Sequence, residues 1–268
     1  MRYTLKNIFD KRLGGEGMSA RPSELFVPIN FLGKIISPYP AFLFLNLGIR
    51  PDWVTFFSIS CIIVSASFFI VGHPVSGVIA LLCFFMLDSV DGDMARVVGP
   101  SSYGSLLDSF GADFFYALIP ASLGYYLFMS DVQSRILPPA VLLISGIFIS
   151  ASFLLYRIIN AKLLRFLADR KRMAANIASV TAHHQSGAFA RGVVLSLTRG
   201  YRHIVIKGNF FSEPGMIMWF SILVFSGNYE ILGAYLILVL LYNMLFLGMS
   251  LFNTYRIFLI YENLAKNQ

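Results

Sequence analysis

The chain has 268 residues, 57% of them hydrophobic and only 13% charged, with a mean hydropathy of +0.70. Soluble domains usually carry about 25% charged residues, so the composition excludes an ordinary soluble fold and predicts an integral membrane protein. The net charge is +7, and where that charge lies is more informative than its size; no nucleic-acid partner is expected.

Residues 1–20 are polar, contain Gly14, Gly15 and Gly17, and are expected to be mobile. From Pro22 to Leu47 apolar clusters are broken by Pro28, Pro38 and Pro40. These prolines argue against a spanning segment and predict a helix lying in the membrane interface, followed by an extended link. Six apolar runs then reach roughly the 20 residues that a spanning helix needs: about 52–72, 75–95, 104–129, 136–158, 213–228 and 231–258, the fifth being the shortest. The expected fold is thus an all-α membrane bundle of six helices. Residues 1–50 form its juxtamembrane segment, and the transmembrane domain covers 51–268. The first span starts too far along the chain for a cleavable signal peptide. Pro51 suits the first helical position, Asp52 suits the positive end of the helix dipole, and Trp53 suits the headgroup level. Cys61 and Cys83 sit mid-span with no metal-binding spacing, so packed, inert thiols are expected.

Lysine and arginine gather before the first span and in a basic insertion over 157–210, whereas the loops around His73, Asp131 and Asn228 hold only Arg135. Basic loops stay cytoplasmic. Both termini are therefore expected inside, in a plasma or inner membrane. The insertion reads as a surface for anionic lipid, or as a source of cations for an anionic substrate. His183 and His184 read as surface loop residues.

The segment joining the second and third spans carries the chemistry. It reads DSVDGDMARVVGPSSYGSLLDSFGAD from Asp88 to Asp113, and it lies at the cytoplasmic face. Ionised carboxylates at membrane depth are costly and mark functional sites. Several together repel one another, and a divalent cation with oxygen ligands is the usual remedy. Asp88 and Asp91 stand about 60° apart on one helical face. Gly92 lets a ligand approach the backbone, Ala95 keeps the face low, and Arg96 offers a fork of donors suited to phosphate. Gly104 begins the next helix at the same depth, with Asp108 one turn on. Asp93 points away from the Asp88–Asp91 face and reads as a solvated residue at the edge.

The pattern DxxDGxxAR, then Gly, then two further aspartates, resembles the CDP-alcohol phosphotransferase family. The first half matches without exception at Asp88, Asp91, Gly92, Ala95 and Arg96. The second half, GxxxDxxxD in the family, departs: Gly104 to Asp108 keeps its spacing, but Asp108 to Asp113 has one residue too many. Residues five apart on an α-helix differ by about 140° in direction, against about 40° for four apart. Asp113 therefore either returns to the site through a π-bulge between Ser109 and Ala112, made cheaper by Gly111, or is displaced, with Ala112 in its place. The bulge is the expectation. The stretch GIRPDWVT (Gly48–Thr55) is similar to the family's start of span one, with Asp52 where Asn is frequent.

The resemblance implies that Asp88, Asp91, Asp108 and Asp113 hold two Mg²⁺ or Mn²⁺ ions, and that Asp113 also acts as general base. It implies further that Asp91, Gly92, Ala95, Arg96 and Gly104 bind the CDP moiety. A CDP-alcohol, CDP-diacylglycerol in the preferred reading, would meet a hydroxyl acceptor and release CMP, in a protein that is commonly a homodimer. If the acceptor is a phosphorylated polyol, Arg157, Arg202 and Lys207 are the candidate cations for its phosphate. Three rivals stand beside this reading. An intramembrane prenyltransferase needs a second Asp-rich motif, which the chain lacks between Asp131 and Gln268. An ion-coupled transporter predicts acids at the midplane in related halves. A family member that has lost catalysis would bind CDP-lipid without turnover.

Overall fold

The computed structural model describes residues 3–13, 28–99, 101–130, 137–180 and 213–266. All the secondary structure among them is helical, in the order α1 (Leu5–Leu13), α2 (Pro28–Ile36), α3 (Pro38–Asn46), α4 (Pro51–Val71), α5 (Pro74–Val98), α6 (Ser102–Met129), α7 (Pro139–Val180), α8 (Glu213–Phe225) and α9 (Tyr229–Lys266). The boundaries follow local chemistry. Proline opens α4 and α5, where its missing N–H costs no hydrogen bond. Gly72 and Gly99 close the same helices at φ 87° and 98°, a region that side chains with a Cβ rarely enter. Ser101 caps α6 by accepting a 2.8 Å hydrogen bond from the Gly104 N–H.

Among the described residues, five helices or helix segments are long and apolar enough to cross a membrane: Pro51–Val71, Pro74–Val98, Leu106–Met129, Pro139–Leu163 and Tyr229–Leu259. α8 is apolar but has only 13 residues, a rise of about 20 Å against the roughly 30 Å of a hydrocarbon core. The outward faces carry Phe56, Phe57, Ile63, Ile70, Ile79, Ile144 and Phe148, all exposed. In water these would be a liability; in a bilayer they are the lipid-facing surface of an integral membrane protein.

The interior joins α4 to α5 and α6, α6 to α7, and α7 to α9, with α8 lying on α5. Phe69, Phe84, Phe115 and Phe220 are its largest fully buried side chains, and the Phe84 and Phe115 rings stack at 6.1 Å between centroids. Lipid is as apolar as leucine, so close packing drives helix association in the bilayer. α6 and α7 approach one another very closely at two glycines. A methyl group on Gly146 would collide with the Pro120 carbonyl, and one on Gly124 would lie 2.8 Å from the Leu142 carbonyl.

Three sequence-based expectations change. Leu5–Leu13 is a helix docked on α5 and α3, with Ile8 1% exposed beside Val54, Val90 and Met94, because its apolar face has a partner there. The segment from Pro38 to Asn46 is a second short helix, not an extended link; its prolines occupy the first turn, where they start a helix instead of breaking one. Cys61 is partly buried, but Cys83 faces outward, so only one of the two thiols is packed. The fourth apolar run continues past the membrane edge as one helix to Val180.

The tight α6–α7 crossing makes a direct prediction. Gly146→Ala should destabilise the detergent-solubilised protein by about 1–3 kcal/mol, the range for overpacking. Gly248→Ala, whose new carbon meets nothing within 4 Å, should leave the melting profile unchanged. Equal melting of both variants would refute the close crossing.

Candidate active site

α5 and α6 meet at the Gly99 turn, and the chemistry-bearing residues lie within a few turns of it. A cavity of about 780 Å³ opens there, lined by Asp88, Asp91, Gly92, Ala95 and Arg96 of α5 and by Gly104 and Asp108 of α6. All seven belong to the expected cation and CDP sites. Gly104 is small for a visible reason: a Cβ there would come within 2.9 Å of Ser101 Oγ and 3.0 Å of Asp52 Oδ1. The cavity wall also includes Tyr3, Arg50, Asp52, Thr55, Ser89 and Ser101, which sequence reasoning did not place in the site.

Asp52 is the most consequential of these. Its Oδ1 accepts a 2.7 Å hydrogen bond from Ser101 Oγ, and its Oδ2 lies 2.8 Å from Arg50 Nη2. It thereby ties the start of α4 to the cap of α6. The only sequence signal was its place in a stretch similar to the family's first span, where a helix-dipole role already accounted for it.

Asp88, Asp91 and Asp108 line the same cavity, so three acids share one space at membrane depth. Asp91 is 8% exposed, and its Oδ2 is buried without a hydrogen-bond partner. Thr55, whose hydroxyl donates to the Pro51 carbonyl at 3.2 Å, stands beside it. An unpaired buried carboxylate oxygen costs free energy unless something occupies the space before it. Among the described residues, no three His, Cys, Asp or Glu side chains close around a common point as they stand, so coordination of one ion would require side-chain rotation. The donor set is all oxygen, which suits Mg²⁺ or Mn²⁺.

Asp93 departs from its expected role. It is 1% exposed, accepts a 2.6 Å hydrogen bond from Ser37 Oγ, and pairs with Arg96 Nη1 at 2.7 Å. It points away from the cavity, as its position on α5 dictates, but toward α3 and the preceding turn instead of solvent. Arg96 thus meets a structural carboxylate on one side and lines the cavity on the other.

Asp113 also departs. α6 is α-helical throughout Ser102–Met129, with no π-helical turn. The expected bulge between Ser109 and Ala112 is absent. Asp113 turns to α7, where Oδ1 lies 2.7 Å from Arg157 Nε. That contact lacks the alignment of a hydrogen bond, so Oδ1 is charge-paired but accepts no bond. Arg157 instead donates to Ser109 Oγ at 2.7 Å. Neither Asp113 nor Arg157 lines the cavity. Arg202, Lys207, His183 and His184 lie outside the described residues.

The family model for CDP-alcohol phosphatidyltransferases matches residues 48–227, which is more than half of the chain and contains the whole cavity motif. The chain belongs to the CDP-alcohol phosphatidyltransferase family. Members of this family are transferases. The chain is also similar to the phosphatidylinositol phosphate synthase of Streptomyces avermitilis, at 37% identity over 81 residues. That match covers 30% of this chain and 33% of the relative, so it spans about a third of the relative's length. No solved structure matches.

The Asp93 contacts predict a structural phenotype in this protein. Asp93→Ala removes the carboxylate that accepts from Ser37 Oγ and pairs with Arg96, and should lower stability by about 1–3 kcal/mol. Limited proteolysis should then cut within 28–50 before it cuts the bundle. Unchanged melting and cleavage would show that the contact carries no weight.

Proposed function

We propose that the protein is a cation-dependent CDP-alcohol phosphatidyltransferase of phospholipid biosynthesis. It moves the phosphatidyl group of CDP-diacylglycerol to the hydroxyl of a polyol or polyol phosphate and releases CMP. The observation that carries this reading is the meeting of Asp88, Asp91, Gly92, Ala95, Arg96, Gly104 and Asp108 in one cavity, within the matched region.

In this reading the small residues at 92, 95 and 104 admit the flat cytidine between α5 and α6. Asp88, Asp91 and Asp108 would hold the divalent ions, which when bound would neutralise the pyrophosphate and ease ionisation of the acceptor hydroxyl. Arg96, oriented by Asp93, directs N–H donors at the phosphates. The acceptor oxygen then bonds to the β-phosphorus as the bond from that phosphorus to the CMP oxygen breaks. The apolar outer faces let the diacylglycerol tails stay in lipid while the headgroup enters the cavity.

The similarity to a phosphatidylinositol phosphate synthase supports a phosphorylated polyol as acceptor. Arg157, with Arg202 and Lys207, would attract its phosphate. The charge distribution supports both termini and the cavity facing the cytoplasm, with α8 completing a sixth crossing. A homodimer belongs to the same reading. The displaced Asp113 favours one second reading, a protein that binds CDP-lipid without turning it over.

Purified protein incubated with CDP-diacylglycerol, Mg²⁺ and a panel of polyols and polyol phosphates should release CMP, and chelation should stop it. Asp91→Asn should reduce that release at least about 100-fold, a loss of roughly 2.7 kcal/mol in transition-state stabilisation. Tight CDP-lipid binding with no CMP from any acceptor would select the second reading.

A further inference from the structure

The start of α4 gives the cavity wall two charged side chains, Arg50 and Asp52, that lie outside the Asp88–Asp108 motif. Arg50 is the N-cap of α4 and Asp52 lies in its first turn. Arg50 Nη2 lies 2.8 Å from Asp52 Oδ2, and the two side chains are 73% and 13% exposed. Asp52 Oδ1 accepts from Ser101 Oγ at 2.7 Å and would stand 3.0 Å from a Cβ on Gly104. The carboxylate therefore borders the space that the missing Gly104 side chain leaves open, which is the slot assigned above to the cytidine.

The tie to Ser101 does not by itself explain a carboxylate at this place. A neutral acceptor could take the same hydrogen bond, and a further negative charge adds repulsion in a cavity that Asp88, Asp91 and Asp108 already line. The pair also keeps bonding capacity in reserve. A carboxylate has about four lone-pair sites, and a guanidinium carries several N–H donors in a fixed fork. Asp52 accepts from Ser101 and Arg50, and Arg50 gives one N–H to Asp52. Side by side, the two present an acceptor next to a row of donors. The Watson–Crick edge of cytosine is the complement of that row: its N4 amino group donates, while N3 and O2 accept. Uracil has a carbonyl at C4 and an N–H at N3, so it would set acceptor against acceptor and donor against donor.

We propose that the Arg50–Asp52 pair reads the base of the bound nucleotide, Asp52 accepting from the N4 amino group and Arg50 donating to N3 and O2, and so selects cytidine over uridine nucleotides. The proposal rests on the CDP-alcohol transferase reading and names the residues that set its base specificity. Neither side chain acts on the reacting phosphorus. Ser101 is a positioning residue that holds Asp52 at the edge of the slot. A site built to hydrogen-bond one edge rejects the analogue that leaves its polar groups unmatched. The competing account is that Asp52 only ties α4 to the cap of α6. That account predicts that loss of Asp52 lowers melting and weakens every nucleotide alike.

The test is equilibrium dialysis of the full-length protein in detergent and Mg²⁺ against labelled CMP or UMP, alongside CMP release from CDP-diacylglycerol. Wild type should bind CMP at least about tenfold tighter than UMP, the discrimination that one matched base edge provides. Asp52→Asn, whose amide can turn an N–H toward the C4 carbonyl of uracil, should bring the two affinities within about threefold of each other. Arg50→Ala cuts back a largely exposed side chain and should weaken CMP more than UMP; it decides the matter if Asp52→Asn does not fold. A wild-type protein that binds CMP, but binds UMP as tightly, overturns the inference alone. So does a wild-type ratio of CMP to UMP affinity in either folded variant. A wild-type protein that neither binds CMP nor releases it from CDP-diacylglycerol overturns the transferase reading and this inference together.

Discussion

Mutual repulsion of carboxylates at membrane depth is the constraint on which the rest of this structure depends. Asp88, Asp91 and Asp108 come from two helices, and each would lower its energy by moving into water or away from the others. They stay together because their helices cannot separate. The Gly99 turn joins α5 to α6 directly, Ser101 caps α6, and Asp52 on α4 holds that cap. Further along, α4 packs against both helices and holds them as a pair, with the Phe84 and Phe115 rings stacked between them. The apolar bundle acts as a clamp that keeps like charges within reach of a common ligand. The buried, unpartnered oxygen of Asp91 marks where that clamp leaves affinity unspent.

The polar contacts around the cavity form a supporting layer, and it reaches into the N-terminal segment. Ser37 and Asp93 connect the turn between α2 and α3 to α5, and Asp93 in turn sets the direction of Arg96. Tyr3 reaches the cavity wall because α1 docks on α5, and Asn46 of α3 bonds both backbone groups of Tyr3. Segments that look peripheral in sequence therefore help to shape the site. A guanidinium held by a buried carboxylate loses less freedom on meeting a phosphate than one waving in solvent, which links this packing to recognition.

The extra residue in α6 shows how a helix handles an insertion inside a motif. A π-bulge would have kept Asp113 in the site at the expense of helix regularity. The structure instead keeps the helix regular as far as its tight crossing with α7, and Asp113 finds Arg157 on the neighbouring face. A charged side chain rotated out of a site at membrane depth needs a counter-charge, and α7 has one at the right height. The basic residue that seemed a simple acceptor cation thus also neutralises a displaced acid.

Much of the site was legible in the chain because it is local. Asp88, Asp91, Gly92, Ala95 and Arg96 fall within one stretch of helix, so 3.6-residue periodicity alone places the site-forming members on neighbouring faces. Composition likewise determined the membrane and the helical class, since a chain this apolar has few other ways to satisfy its backbone in lipid. What the sequence could not decide were contacts between residues far apart along the chain: Asp52 with Ser101, Asp93 with Ser37, and Asp113 with Arg157. Each depends on how helices settle against one another, which follows from side-chain packing at crossings such as Gly124 with Gly146 and not from the spacing of residues within any one helix.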